Sequence, residues 1–179
     1  ARAYFRAGRL KETQELLHWL EVHGVEHAEL ALMRARIALK RRKLDEALDS
    51  ASYAKCLQDP LPEADLLIGE VHFRRNQLDA AEVAYTAAET RAPSAATAAG
   101  LAAIALRRGN AELAADQCLT ALDRDMTHWP AHYRLGLALM QLQRWPEARL
   151  AFETTTRLQP TLTGPHRFLS RLSPRGKLN

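Results

Sequence analysis

The stretch from Trp129 to Pro160, WPAHYRLGLALMQLQRWPEARLAFETTTRLQP, decides the reading of the whole chain. Its marks are Tyr133, the pair Leu135-Gly136, Leu139, Trp145, Ala148, Phe152 and Pro160. The same residue types return about 34 positions earlier, and again before that. Ala148 falls on Ala114, Ala81 and Ala47, at intervals of 34, 33 and 34. Gly136 falls on Ala102, Gly69 and Ala35. Trp145 falls on Ala111, Leu78, Leu44 and Leu10, and Phe152 on Cys118, Tyr85, Ala51 and Leu17. Pro160 falls on Met126, Pro93 and Asp59, the last with Pro60 beside it. Columns this restricted, recurring at one period, are the signature of a repeat architecture.

Each column has a physical reason. Gly or Ala in one segment and Ala in the next mark where two antiparallel helices cross, because a larger side chain would push the backbones apart. The large residue at Trp145, Leu78 or Leu44 opens the second helix and fills the space under the turn. The residue at Phe152 or Tyr85 is expected to reach across to the next hairpin. Proline ends the second helix, since it lacks an N–H and disfavours helix in the residue before it. Gly109, Asn76 and Gly8 stand where a helix closes in a left-handed residue. Pro146 sits at a first helical position, where its missing donor does no harm.

These signals predict helices over residues 1–6 and 10–22, then pairs at 27–41 and 44–57, 62–75 and 78–91, 95–108 and 111–124, and 129–142 and 146–158. A short helix near 164–172 is expected to cap the end, with a loose tail over 173–179. The expected organisation is a truncated first hairpin over 1–22, four repeats over 27–160, a capping helix within 161–172, and the tail. Ala1 is not Met, and residues 1–6 read as the tail of a helix, so the chain reads as a piece of a longer protein. Three positions depart from the columns: Thr13 for alanine, Arg34 for Ile68, Leu101 and Leu135, and Met126 for proline. At Arg34 a register slipped by one residue is one reading.

Composition narrows the function classes. Apolar residues are 47% and charged residues 26%, enough to bury a core and too apolar for a disordered chain. No apolar run reaches 18 residues, so no membrane span is expected. The net charge of +4 permits an acidic partner without requiring one. Cys56 and Cys118 are isolated, which is no disulfide framework and suits a reducing, cytoplasmic setting. No Gly-rich phosphate loop, nucleophile elbow or His-Glu-x-x-His motif is present. No catalytic activity, cofactor or small-molecule substrate is therefore expected. His128 and His132 lie four apart, but no third ligand joins them locally and Pro130 lies between, so no metal site is expected.

The pattern resembles the tetratricopeptide repeat family, over roughly residues 1–160. Leu135-Gly136, Ala148, Phe152 and Pro160 carry the family's marks most fully. The resemblance implies an all-α fold, a right-handed superhelix of stacked antiparallel hairpins with a concave groove lined by the first helix of each hairpin. Carried onto this chain, the groove positions are Leu32, Arg36 and Leu39, then Leu66, Glu70 and Phe73. Ala99, Ala103 and Leu106 follow, then Tyr133, Leu137 and Met140. Such an apolar face suits a helix or an extended peptide. The competing reading is that these side chains pack inside the fold or against the chain's own terminus. The family's basic clamp for a peptide carboxylate uses Lys and Asn, and Leu and Ala stand at the matching places here.

A basic column runs through Arg6, Lys40, Arg74 and Arg107, with Arg41, Arg75 and Arg108 following three of them. Cations at helix C-termini are stabilising through the dipole, which accounts for the column without a partner. Its other reading is a rim for an acidic peptide. Nucleic acid is disfavoured, because no aromatics interleave with the cations. The expected function is a protein-interaction module that binds a peptide or protein partner in an apolar groove with a basic rim. Its alternative is a non-catalytic accessory or dimerisation segment of a larger bacterial enzyme, such as a hydrolase or transferase. Homo-oligomerisation through Phe5, Trp19 and Leu20 is a further expectation.

Overall fold

The computed structural model describes residues 2–172, and the expected tail lies outside them. The described residues are all-α, without a strand. The helices are α1 (Arg2–Arg6), α2 (Leu10–Val22), α3 (Ala28–Lys40), α4 (Leu44–Leu57), α5 (Pro62–Arg74) and α6 (Leu78–Arg91). They continue as α7 (Ala95–Arg107), α8 (Ala111–Arg124), α9 (Trp129–Gln141), α10 (Trp145–Leu158) and α11 (Thr163–Arg171). The periodicity places these boundaries to within about a residue at most ends. The chain divides into two compact units between Ala92 and Pro93.

In the first unit α3 pairs with α4 and α5 with α6, and α4 packs on α5. Its core is built largely from alanines, with Ala35, Ala47, Ala51, Ala54 and Ala64 fully buried among Leu32, Leu39, Leu67 and Val71. In the second unit α7 pairs with α8 and α9 with α10, α8 packs on α9, and α11 lies on α10. Alanine dominates there too, at Ala98, Ala102, Ala114, Ala121, Ala131, Ala138 and Ala148. Methyl groups bring helix axes close, and alanine is also the best helix former.

The large residue of the second helix obeys a size rule. Where the first helix carries glycine, the second carries a ring. A Cβ at Gly69 would stand 2.8 Å from Tyr85 Cδ1, and one at Gly136 would stand 2.6 Å from Phe152 Cε1. Where the first helix has Ala35 or Ala102, the second has Ala51 or Cys118, and all four are fully buried. Tyr85 is expected to reach the next hairpin; what its ring is seen to meet is its own hairpin's glycine, Gly69. Phe152 does both, resting over Gly136 and stacking on Phe168 of α11 at 4.9 Å between ring centres.

The departures from the columns also have local causes. Thr13 is fully buried, and its hydroxyl donates to the Arg9 carbonyl at 2.7 Å, so it fills an alanine's place with its polar group bonded. Arg34 needs no register slip. It pairs with Glu21 at 2.9 Å and donates to the Leu17 carbonyl. Three hairpins later the two positions are Leu135 and Leu122, so one charged pair replaces one apolar pair. Met126 is exposed, and its carbonyl accepts from His132 Nε2 at 2.9 Å. The carbonyl of Pro160, its repeat equivalent, accepts from His166 Nε2 at 3.4 Å.

The turns hold a cost that composition does not show. Gly8, Asn76 and Gly109 close their helices with φ of 73°, 60° and 79°, as their residue types suggest. Arg42 and Gln143 occupy the same position with φ of 61° and 60°. A residue with a Cβ gives up about 1–2 kcal/mol in this region. Part of any gain from glycine is lost to its greater freedom in the unfolded chain, about 0.5–1 kcal/mol. Arg42→Gly and Gln143→Gly are each expected to raise unfolding free energy by up to about 1 kcal/mol. Urea titration of each variant checks this, and a loss of stability would contradict it.

Candidate functional site

The expected groove positions fall into two sets, one in each unit. In the first unit they lie on α3 and α5, which pack against each other. Leu32 and Leu39 are corrected as groove-lining residues. They are only 7% and 5% exposed and belong to the core of the unit. Arg36, Leu66, Glu70 and Phe73 are half-buried, and Arg74 is exposed. Arg36 has no ion pair or hydrogen bond from its side chain among the described residues. Leu66 and Phe73 lie on α5, two turns apart on one side of the helix.

Arg74 is held in place by a network. Its Nε donates to Glu70 Oε1 at 2.7 Å, and its Nη1 donates to the Leu39 carbonyl at 2.8 Å. The Tyr85 hydroxyl donates to Glu70 Oε2 at 3.1 Å. Arg74 therefore reaches the C-terminal end of α3 from the following hairpin, adding a second bond to the Leu39 carbonyl, which also accepts from the Arg42 N–H at 3.1 Å. The neighbouring cations are also engaged. Lys40 Nζ stands 4.7 Å from the centre of the Phe5 ring, and Arg75 pairs with Asp45. The periodic basic column is thus accounted for at Lys40, Arg74 and Arg75 by helix termini, a ring and a carboxylate. The side chain of Arg6 lies outside the described residues, and Arg107 is exposed at the end of α7.

In the second unit Ala99 and Ala103 are buried and Leu106 is half-buried. Tyr133, Leu137 and Met140 pack against Leu139, Ala148 and Phe152, alongside Phe168, Leu169 and Leu172. Tyr133 is 5.9 Å from Phe152 and 6.4 Å from Phe168, ring centre to ring centre. A Cβ on Gly164 would approach the Tyr133 hydroxyl to 3.0 Å. The chain's own α11 therefore packs against Tyr133, which stays half-buried.

Two features carry chemistry of their own. Cys118 is fully buried, and burial pushes its thiol up to about 12, so it stays protonated and inert at neutral pH. His128 is half-buried, and desolvation, aided by Arg134, holds its pKa below the ordinary value of 6.5. Its neutral form is favoured in the fold. As pH falls through about 6.5, the unfolded chain takes up this proton first, so stability declines with acidification. The wild type is expected to lose more stability between pH 7.5 and 5.5 than His128→Gln. Parallel pH profiles would overturn this.

Sequence reasoning missed Asp65, in the first turn of α5. Its side chain is 4% exposed and receives Lys55 Nζ at 2.7 Å and Arg91 Nη1 at 2.5 Å. These partners are 10 and 26 residues away, too far for a local pattern to join them.

Family and structure comparisons agree with this architecture. One tetratricopeptide repeat sequence model matches residues 1–60 and 66–128, and a second matches 129–162. No curated protein matches in sequence. Among solved structures, the APC/C hetero-tetramer Cut9-Hcn1 matches with a TM-score of 0.84 at 14% identity, over 96% of this chain and 35% of that one. The chain thus spans about a third of that structure's length. The second tetratricopeptide domain of human RPAP3, in complex with the HSP70 peptide SGPTIEEVD, matches with a TM-score of 0.55 at 25% identity, over 63% of this chain and 98% of that one. MamA from Desulfovibrio magneticus RS-1 matches with a TM-score of 0.64 at 18% identity, over 81% and 82% of the two chains. Among the described residues no helix is long and apolar enough to cross a membrane. With the repeat models matching residues 1–60, 66–128 and 129–162, this chain belongs to the tetratricopeptide repeat family.

Proposed function

We propose that this chain is a protein-interaction module that holds an apolar peptide segment on the face formed by α3 and α5. Tetratricopeptide repeats are in general non-catalytic interaction elements, and the RPAP3 domains to which this chain is similar bind HSP90 and HSP70 peptides. The observation that carries the reading is the set Arg36, Leu66 and Phe73. Two half-buried apolar side chains share one face of α5, and α3, which packs against α5, carries a half-buried guanidinium with no side-chain ion pair or hydrogen bond among the described residues. The helices beneath are fixed by an alanine core, so the ordering entropy on binding falls mainly on the partner.

In this reading Leu66 and Phe73 contact apolar side chains of the peptide, and Arg36 meets a carboxylate or backbone carbonyl. Glu70 and Arg74 frame the site and are held rigid by Tyr85 and the Leu39 carbonyl. In the other unit, taken by itself, Leu137, Met140 and Arg107 are a separate candidate set, with Tyr133 packed beside Leu137 and Met140. The basic column is a helix-capping device first, so Arg36 carries the charge recognition. The peptide is not of the EEVD type seen with RPAP3, because Leu and Ala replace the clamp's Lys and Asn.

A random peptide display library provides the test. Peptides selected on the wild type are expected to lose about tenfold in affinity, roughly 1.4 kcal/mol, on Phe73→Ala. Arg36→Glu is expected to weaken binding and change its salt dependence. Selected peptides that bind both variants unchanged would remove this site.

A further inference from the structure

We propose that Tyr85 is a positioning residue that sets the charge specificity of the α3–α5 face. Its hydroxyl keeps the Glu70 carboxylate from Arg36, so the peptide held there is one that brings its own carboxylate. This rests on the reading of that face as a peptide site. Arg36 and Glu70 hold the same repeat position on α3 and α5, which pack against each other. The bond from Arg74 Nη1 to the Leu39 carbonyl brings the C-terminal ends of the two helices together. One turn back from that contact stand Glu70 on α5 and Arg36 on α3. Opposite charges at one level of neighbouring helices attract each other, yet these two do not pair. Both oxygens of Glu70 are taken, Oε1 by Arg74 Nε at 2.7 Å and Oε2 by the Tyr85 hydroxyl at 3.1 Å. Arg36 is half-buried and has no side-chain ion pair or hydrogen bond among the described residues.

The repeat separates the reason for the ring from the reason for the hydroxyl. Tyr85 stands over Gly69 and Phe152 over Gly136, so packing asks for a ring and not for an oxygen. The hydroxyl occurs in the hairpin whose groove position holds an acid. Tyr85 goes with Glu70, whereas Phe152 goes with Leu137 and Cys118 with Ala103. Tyr85 is 2% exposed and its ring is wedged on Gly69, so this donor is fixed where a surface side chain would wander.

Charge then selects the peptide. Glu70 and Arg74 cancel each other, which leaves Arg36 as the uncompensated cation of this set. A peptide carbonyl would accept from Arg36 but leave its charge unbalanced as water is displaced. An Asp or Glu of the peptide compensates the charge and forms a stronger, charge-assisted bond. The occupant is therefore an acidic peptide whose apolar side chains meet Leu66 and Phe73. Without the Tyr85 hydroxyl, Glu70 keeps a single tether and competes with the peptide for Arg36.

The probe is the tightest synthetic peptide selected on the wild type from the display library. It is compared with a copy in which every Asp and Glu is replaced by its amide, both titrated by fluorescence anisotropy. Selected peptides are expected to carry Asp or Glu, and the wild type to prefer the acidic peptide over the amide copy by about tenfold. Tyr85→Phe is expected to cut that preference about three- to fivefold and to bind the amide copy as the wild type does. Adding Glu70→Gln restores the preference, because the competing charge is gone. Arg74→Met removes the other donor to Glu70 and serves if Tyr85→Phe does not fold, with the same fall and the same restoration expected. The proposal is overturned by selected peptides without carboxylates, by a variant that weakens both peptides equally or neither, or by Glu70→Gln failing to restore the preference. If Phe73→Ala weakens binding in any of those cases, the face stands and only this role of Tyr85 falls. If nothing binds, or Phe73→Ala and Arg36→Glu leave binding unchanged, the face itself falls and this role with it.

Discussion

Gly136→Ala is expected to destabilise the second unit by about 2 kcal/mol, although alanine is by far the better helix former. Two effects oppose each other. In a helix interior alanine is favoured over glycine by about 1 kcal/mol. Against it, the new methyl would stand 2.6 Å from Phe152 Cε1 and 2.8 Å from its Cδ1 and Cζ. No real pair of carbons rests that close, so the ring must move. Phe152 is fully buried, and Tyr133 and Phe168 pack around it. Overpacking a core of this kind costs about 1–3 kcal/mol, sometimes more, so the clash wins. The sign is expected to reverse in a Phe152→Cys background, which reproduces the arrangement at Ala102 and Cys118. There Gly136→Ala becomes neutral or stabilising. Denaturant unfolding of the four proteins in this double-mutant cycle gives the coupling. An equal loss in both backgrounds would mean that the ring is not what excludes the methyl.

This coupling shows what one sequence makes legible. The columns at Gly136 and Phe152 are visible by period alone, and they place the helices because small residues and turn residues act locally. Their pairing by size is visible too, since Gly69 and Gly136 go with rings while Ala35 and Ala102 go with small residues. Period alone did not say that the Tyr85 ring lies on its own hairpin, because a side chain on the second helix can turn toward either neighbour. Arg42 and Gln143 at left-handed positions were equally hidden, since neither residue type announces such a turn. The functional positions were less legible still. Leu32 and Leu66 share a repeat position, yet one is core and the other half-exposed. Arg74 lies in a basic column that could serve a partner, and its bond to the Leu39 carbonyl spans 35 residues. Long flexible side chains settle their direction through such distant contacts, and a one-dimensional pattern does not contain them.

Asp65→Ala is expected to destabilise the first unit by about 2 kcal/mol, the largest effect of removing any single charge there. The carboxylate lies on α5 with its side chain 4% exposed, and it receives Lys55 from α4 and Arg91 from α6. One buried anion thus ties the second helices of two successive hairpins to the first helix between them. Breaking a fully buried ion pair costs about 3–5 kcal/mol, because an uncompensated charge remains. Here the cations are 35% and 38% exposed, so both can turn to water once the anion is gone, and the loss is discounted accordingly. Lys55→Met and Arg91→Met are each expected to be milder, since the other cation stays on the carboxylate. The comparison is Lys43 and Glu46, a pair 53% and 60% exposed, where Glu46→Ala should change stability by no more than about 0.5 kcal/mol. The distinction is one of desolvation, because both pairs are short. The buried network should also be less sensitive to salt, since ions in solution screen exposed charges far more than buried ones. Urea unfolding at low and high salt measures all of these quantities together. If Asp65→Ala and Glu46→Ala lose the same amount, burial is not what gives the network its strength, and the link from α4 through α5 to α6 is carried by the alanine core alone.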